Sequence, residues 1–213
     1  MSQIAQLAAR RHTDYLRPMQ TERLPVIILV RPQMGENIGA AARAMLNFGL
    51  TEMRIVDPRD GWPNPRAVAM ASGAAGQVLD RARVFPTLAD AMADVDFAFA
   101  TTARGRELTK PVHTPATAMD AARAMTAEGR RVALIFGPER AGLENDDVAR
   151  ANAIVTVPVN PDFPSLNLAQ AVLLMGYEWG RDSLPAEPAP RIRTPGGEAP
   201  ATRLEVERLA DHW

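Results

Sequence analysis

The sequence predicts an α/β domain with a mainly parallel sheet. Continuous apolar runs rich in β-branched residues, such as PVIILV (25–30), are typical of strands buried on both faces. Alanine-rich or amphipathic stretches, such as ENIGAAARAMLNFGL (36–50), separate these runs. Strands that alternate with helices in this way favour parallel pairing through crossover connections.

The first half of the domain begins after a polar extension, 1–24, whose periodicity is weak. Asn37 is well placed to cap the first helix, because asparagine accepts hydrogen bonds from free N–H groups at a helix start. The predicted elements are a strand at 25–30, a helix at 36–50, a strand at 53–58 that ends at Pro58, and an alanine-rich helical segment near 66–76.

The second half continues the alternation. Gly129 is the expected stop of one helix, since glycine readily adopts the left-handed conformation found after helix ends. The predicted elements are a short helix within 83–95, a strand and loop at 96–104, a helix at 116–129, a strand and turn at 131–143, a short helix at 145–153, a strand at 154–159 and a long helix at 165–180.

The composition changes after Gly180. Residues 181–200 are rich in proline and glycine and are predicted to form an extended linker. A partial helical extension is predicted at 201–213, where Thr202 and Glu205 have capping-box spacing. Its apolar stripe is Val206, Leu209, Ala210 and Trp213. So short a helix cannot bury its own stripe, so we expect it to pack on a partner subunit or to continue further.

Composition limits the function classes. Net charge is −1, which does not indicate a globally basic nucleic-acid binder. Of the 24 basic residues, however, only Lys110 is lysine, and the others are arginine. Arginine binds phosphates and stacks on bases, so a local RNA-binding patch is compatible with this charge, although genome composition also explains the bias. The sequence has no cysteine and only three scattered histidines, so a metal site is not expected. It has no membrane-length apolar run and no secretory signal, which favours a cytoplasmic protein.

Two common nucleotide motifs are absent. No GxxxxGK[ST] occurs, which excludes a P-loop, and no GxGxxG follows a strand, which disfavours a nicotinamide oxidoreductase.

Three other segments combine a strand end with residues suited to a ligand. In IFGPERAGL (135–143), two glycines allow a close backbone approach, or simply a tight turn. In VPVNPDFPSLNLAQAV (157–172), Ser165 is either a helix N-cap or part of a polar site at the helix start. In FATTARGR (99–106), two threonines either line a site at the sheet edge or finish the strand.

Arg43 lies in the predicted helix 36–50, with Gly39 and Asn47 one turn away on either side. Gly39 leaves space and Asn47 can form a hydrogen bond. By itself the pattern allows either a solvent-exposed helix arginine or a guanidinium held near a site.

The segments NIGAAARAM, TTAR, FGPERAGL and SLNLAQAV, in this order, resemble the SpoU (TrmH) group of SPOUT RNA 2′-O-methyltransferases, most closely its TrmJ type. The resemblance covers about residues 25–180. It implies a parallel α/β domain with a C-terminal trefoil knot, S-adenosylmethionine as cofactor, a homodimer and methylation of a tRNA ribose at nucleotide 32.

The resemblance also implies site residues. Arg43 matches the catalytic arginine of the family, Asn37 its motif asparagine, and Ser165 is expected to shape the reacting pocket. Glu139 is expected to brace the loops. The residues expected to form the cofactor pocket are Thr101, Thr102, Ala103, Gly137, Glu139, Gly142, Leu143, Val157, Pro158, Ser165, Leu166 and Asn167. No metal is implied.

Alternatives stay open on sequence alone. A ribosomal RNA methyltransferase shares the same core motifs, and an RNA-binding knot protein without turnover would keep the fold. The motifs do not distinguish cytidine from uridine, nor whole tRNA from a fragment.

Overall fold

A computed structural model of the chain describes residues 24–103, 110–182 and 201–211, apart from the side chain of Val206. Most of the predicted extension 1–24 and linker 181–200, with Trp213, lies outside the described residues. The described part contains a seven-stranded sheet in which every pairing is parallel. The strands are β1 (Val26–Val30), β2 (Met53–Val56), β3 (Arg83–Phe85), β4 (Phe97–Thr101), β5 (Val112–His113), β6 (Val132–Phe136) and β7 (Ala153–Val155).

The strand order is β3-β2-β1-β6-β4-β7-β5, so β6 and β7 lie on either side of β4. The register aligns the carboxyl ends of the central strands. Leu29 of β1 faces Phe136 of β6, and Thr101 of β4 faces Val155 of β7. The loops that follow these strands therefore leave from one edge of the sheet.

Helices cover both faces of the sheet. The α-helices are α1 (Gly35–Asn47), α2 (Pro65–Ala71), α3 (Gly76–Asp80), α4 (Leu88–Ala91), α5 (Pro115–Ala127), α6 (Asn145–Arg150), α7 (Leu168–Gly180) and α8 (Arg203–Ala210). Strand side chains alternate between two apolar clusters, as expected for a sheet buried on both sides. Helices α1, α2, α5 and α7 contribute to one cluster, and α4 and α6 to the other. No helix in the described part of the chain is long and apolar enough to cross a membrane.

The predicted α/β class with a parallel sheet is confirmed. Gly129 ends α5 with φ of +81°, and the Thr202–Glu205 capping box starts α8, both as predicted. Two short edge strands, β3 and β5, were not predicted, since a strand of two or three partly exposed residues leaves no continuous apolar run. The last predicted strand ends at Val155 rather than residue 159, and the helix after it starts at Leu168 rather than Ser165.

Helix α1 is held very close to α2. An added Cβ at Gly39 would lie 2.2 Å from the carbonyl oxygen of Ala67 and 2.9 Å from the backbone nitrogen of Ala71. The space that Gly39 was expected to leave beside Arg43 is therefore filled by the α2 backbone. The Asn47 side chain makes no hydrogen bond with any described residue, so the predicted side-chain contact to Arg43 is not formed.

Candidate active site

A cavity of about 330 Å³ opens at the carboxyl edge of the sheet, between the loops that follow β4, β6 and β7. Its lining includes nine of the predicted cofactor residues: Thr101, Thr102, Ala103, Gly137, Glu139, Gly142, Val157, Ser165 and Leu166. Three others lie outside the lining. Leu143 is buried in the core below the cavity, Pro158 lines a neighbouring hollow, and Asn167 caps α7.

The strands around β4 tie two of these loops together. The Thr102 backbone N–H donates to the Val155 carbonyl at 3.0 Å, and the Thr156 hydroxyl donates to the Thr102 carbonyl at 3.1 Å. The Thr101 hydroxyl donates to the Ile135 carbonyl at 2.9 Å. The threonines thus complete the strand end and also border the cavity, so both interpretations of this motif apply.

The loop after β6 folds back on itself. An added Cβ at Gly137 would lie 2.2 Å from the Leu143 nitrogen and 2.4 Å from the Gly142 carbonyl carbon. Gly142 has φ of +66°, a left-handed conformation that favours glycine, and its N–H donates to the Pro138 carbonyl at 2.8 Å. Only glycine therefore fits at position 137, where the end of β6 packs directly against the backbone of Gly142 and Leu143.

Glu139 joins this loop to the segment after β1. Its carboxylate accepts the backbone N–H groups of Gln33 at 2.8 Å and Met34 at 3.2 Å, and the Asn37 side-chain amide at 2.7 Å. The predicted capping role of Asn37 is wrong, because α1 starts at Gly35 with Met34 at the cap position. Glu139, from a distant part of the chain, instead accepts the N–H groups that precede the helix, and Asn37 lies inside the helix with its side chain donating to Glu139.

The loop after β7 joins the same network. The Asn167 side-chain amide donates to the Asn37 side-chain oxygen at 2.9 Å, and the Asn167 oxygen accepts the Ala169 N–H at 2.9 Å. Asn167, rather than Ser165, is therefore the N-cap of α7. Ser165 is exposed and lines the cavity, which leaves its hydroxyl available to a ligand. The chain Glu139–Asn37–Asn167 links the loops after β1, β6 and β7.

The side chains of Arg43 and Arg140 are exposed and form no ion pair or hydrogen bond with the described residues. Arg140 lines the cavity. Arg43 does not, although its helix begins at the loop that Glu139 holds. The described chain alone therefore does not bring Arg43 to the cavity.

A supporting ion pair was not predicted from the sequence. Arg31, at the end of β1, has φ of +45°, and its guanidinium contacts the Asp147 carboxylate on α6. Asp147 also accepts the Glu144 backbone N–H at 3.0 Å, which closes the start of α6 below the cavity loop. An arginine and an aspartate separated by 116 positions give no local signal, so only the fold reveals the pair.

The cavity suits a ligand with an apolar body and polar ends. Val155, Leu168, Ala171 and Phe136 supply apolar walls. Within the described residues, the backbone N–H groups of Val157 and Leu166 donate to no other group, so they are free to bind ligand oxygens or nitrogens. A few polar groups in a mostly apolar pocket are typical of small-molecule sites.

Among the described residues, the strongest pKa shift lies at the opposite edge of the sheet. The buried Arg54 guanidinium forms hydrogen bonds and ion pairs with Asp94 and Glu52. The hydrogen bond from Arg54 lowers the pKa of Asp94 to about 2. Burial disfavours the charged form of Glu52, but hydrogen bonding to Arg54 and the charge of Arg131 outweigh it and lower that pKa too. This network stabilises the fold and does not identify the site.

Comparison with known proteins agrees with this geometry. The model of the SpoU rRNA methylase family matches residues 25–177. The chain is 44% identical over 153 residues to LasT of Escherichia coli, named an uncharacterized tRNA/rRNA methyltransferase, covering 71% of this chain and 66% of LasT. It is 40% identical over 152 residues to TrmJ of Pseudomonas aeruginosa, a tRNA (cytidine/uridine/adenosine-2′-O-)-methyltransferase, covering 71% of this chain and 58% of TrmJ. The match thus spans less than two thirds of either relative.

A solved structure is more similar in sequence. The crystal structure of TrmJ from Z. mobilis ZM4 superposes with a TM-score of 0.70 at 62% identity, covering 74% of this chain and 69% of that one. The family model matches residues 25–177, and the expected motifs cluster around one cavity. The chain belongs to the SpoU rRNA methylase family.

Proposed function

We propose that this protein transfers the methyl group of S-adenosylmethionine to a ribose 2′-hydroxyl of tRNA, at nucleotide 32 of the anticodon loop. The observation that carries the proposal is the cavity between the loops after β4, β6 and β7. The Glu139–Asn37–Asn167 hydrogen-bond chain holds the loops after β6 and β7 together through α1. The names of the TrmJ relatives, which methylate tRNA 2′-hydroxyls, support the reaction and the substrate class.

The cavity residues fit the cofactor. Apolar walls suit an adenine ring, and the free N–H groups of Val157 and Leu166 suit its polar edge. The close turn between Gly137 and Gly142 forms part of the cavity wall. When bound, S-adenosylmethionine supplies an electrophilic methyl carbon, so the protein has to position a ribose hydroxyl in line with it and receive the proton that the hydroxyl loses.

Arg43 is the proposed catalytic residue. A guanidinium offers hydrogen-bond donors and no acceptor, so its proposed role is to orient the ribose through a neighbouring phosphate and to stabilise developing negative charge. Ser165, exposed in the cavity lining, is proposed to contact the ribose, and Asn37 to hold the loops through Glu139 and Asn167.

A homodimer is part of the proposal. Arg43 is exposed and does not line the cavity of its own chain. We therefore infer that Arg43 acts at the cavity of a partner subunit. Leu173 and Tyr177 on α7 are spaced four residues apart, 40% and 50% exposed, and offer an apolar stripe for such contact.

We also infer a C-terminal trefoil knot and a cytoplasmic location. The knot is supported by β7 inserting between β4 and β5 before α7 returns to pack on α1.

Replacement of Arg43 by alanine tests its role. We expect Arg43→Ala to lower kcat by at least about a hundredfold, because a charge-stabilising contact in the transition state is lost. The Kd for S-adenosylmethionine, measured by calorimetry, should stay within about twofold. Arg81→Ala removes an exposed arginine outside the site and serves as the control. Parallel loss of turnover and cofactor affinity would contradict a catalytic role.

The substrate is tested by labelled methyl transfer. The protein is incubated with methyl-labelled S-adenosylmethionine and either total tRNA or ribosomal RNA from cells that lack this activity, and the modified nucleotide is mapped. We expect label in tRNA at nucleotide 32. Label in ribosomal RNA alone would favour the alternative substrate, and saturable RNA binding without cofactor binding would indicate a non-catalytic RNA-binding protein.

A further inference from the structure

Phe163 is the most exposed large apolar side chain among the described residues, at 75% of its maximal surface. Leaving an aromatic ring in water forgoes a favourable burial of about 1.5–3 kcal/mol. The ring belongs to the loop after β7 and immediately precedes Pro164 and Ser165, which line the cavity.

The backbone that carries Phe163 is fixed. The Phe163 N–H donates to the Asn160 carbonyl at 3.0 Å, and the Asp162 N–H donates to the Asn160 side-chain oxygen at 3.0 Å. Pro161 and Pro164 restrict the chain on both sides. No atom of the ring takes part in the hydrogen bonds of this turn, so the turn itself does not require an aromatic residue there.

The chemistry around the turn favours a nucleobase over a phosphate. Asp162 beside the ring carries a negative charge that repels phosphates, whereas the exposed guanidinium of Arg140, on another loop of the same cavity, attracts them. RNA loops are commonly bound by stacking of unpaired bases on exposed aromatic rings and by arginine contacts to the backbone.

We propose that Phe163 is a stacking platform for a base of the RNA, at or next to the methylated nucleotide, while Arg140 binds the adjoining phosphate. This inference rests on the proposed RNA substrate and adds a substrate-positioning residue to it. The ring contacts the base rather than the cofactor, so it acts on RNA recognition alone.

The test compares Phe163→Ala with Val84→Ala, which truncates an exposed apolar side chain on edge strand β3. We expect Phe163→Ala to reduce kcat/KM for tRNA by about tenfold, within the range measured for one stacked base. The cofactor Kd, the thermal midpoint and the sedimentation coefficient should match the wild type, because the ring is exposed and unpaired. Val84→Ala should change none of these quantities.

A direct readout comes from Phe163→Trp. Stacking on a base quenches indole fluorescence, so tRNA should quench this variant beyond the response of the wild type. The inference is overturned if Phe163→Ala transfers methyl groups to tRNA like the wild type. It is also overturned if Phe163→Ala weakens cofactor binding as much as RNA binding, or dissociates the dimer. Failure of the wild type to methylate any RNA would instead refute the proposed function, and the fluorescence titration with RNA would still decide the stacking.

Discussion

At the residue scale, one carboxylate holds two segments of the site in place. Glu139 accepts two backbone N–H groups before α1 and the amide of Asn37, and Asn37 in turn accepts the amide of Asn167. Hydrogen bonds to a charged group contribute about 1.5–3 kcal/mol each, so this carboxylate fixes the cavity more firmly than any other single side chain of the network.

Removing that carboxylate should loosen the cavity. We expect Glu139→Ala to raise the Kd for S-adenosylmethionine by at least about tenfold, which corresponds to about 1.4 kcal/mol. Isothermal titration calorimetry measures the change, with Glu128→Ala as an exposed control at the end of α5. An unchanged Kd in Glu139→Ala would show that the loops keep their arrangement without the hydrogen-bond chain.

The charged network at the amino edge of the sheet predicts acid sensitivity. The folded state lowers the pKa of Asp94 from 3.8 to about 2 and lowers that of Glu52 from 4.5, so it binds fewer protons than the unfolded state. The stabilisation is therefore present above about pH 4.5 and is lost as pH falls toward 2.

Asp94→Asn should remove part of that dependence. The carboxylate is half exposed, so we expect a loss of about 1–2 kcal/mol in the free energy of unfolding at pH 7 and a flatter decline below pH 4.5. Urea unfolding at pH 7 and at pH 3 tests this, with the exposed Asp80→Asn as control. Equal slopes of stability against pH in wild type and Asp94→Asn would contradict the assignment.

The motif residues were predictable from the sequence, but their partners were not. Glu139 was expected to brace the loops, and its hydrogen bonds agree with that expectation. Asn37 was expected to cap a helix, and Ser165 either to cap one or to form part of a polar site, since asparagine and serine near a helix start usually cap it. Tertiary contacts override this local preference: Glu139 accepts the N–H groups before α1, and Asn167 caps α7.

At the element scale, α1 is placed by close contact with its neighbours. The missing Cβ of Gly39 lets α1 touch the backbone of α2, and that of Gly176 lets α7 accept the Phe48 ring. The position of α1 sets where Arg43 lies relative to the sheet edge.

A methyl group at Gly39 should therefore destabilise the domain. We expect Gly39→Ala to cost about 1–3 kcal/mol by overpacking against the Ala67 carbonyl. Gly76→Ala is the matched control, because its φ of −54° suits alanine and an added Cβ there meets nothing within 4 Å. It should be neutral or stabilising by about 0.4–1 kcal/mol. Denaturant unfolding gives the free energy of unfolding of both variants, which separates the effect of packing from that of intrinsic helix preference. Equal free energies of unfolding in Gly39→Ala and Gly76→Ala would refute the packing argument.

Long elements with continuous apolar or amphipathic patterns were predictable, whereas short edge strands were not. Strands β1, β4 and β6 are buried and rich in apolar residues, so composition alone marks them. Strands β3 and β5 depend on a neighbouring strand for their hydrogen bonds. Strand order and the Arg31–Asp147 pair arise from contacts distant in sequence, which no local pattern encodes.

At the scale of the whole molecule, the proposed site needs two subunits. A mixture of Arg43→Ala with Glu139→Ala tests this arrangement. If Arg43 serves the partner's cavity, random reassociation gives heterodimers with one complete site, and the mixture should recover about a quarter of the wild-type rate. Each variant alone should stay far below this rate when S-adenosylmethionine is kept well below the Kd of Glu139→Ala. No recovery after verified subunit exchange would mean that Arg43 acts within its own chain.

The most direct measurement asks where the methyl group goes. Unmodified tRNA is treated with labelled S-adenosylmethionine and the wild-type protein, then hydrolysed in alkali. Alkaline cleavage requires a free 2′-hydroxyl next to the phosphate, so a ribose-methylated nucleotide stays joined to its neighbour. We predict that the label is recovered in alkali-stable dinucleotides. Label in mononucleotides, which would mean methylation of a base, or no label in RNA would contradict the account.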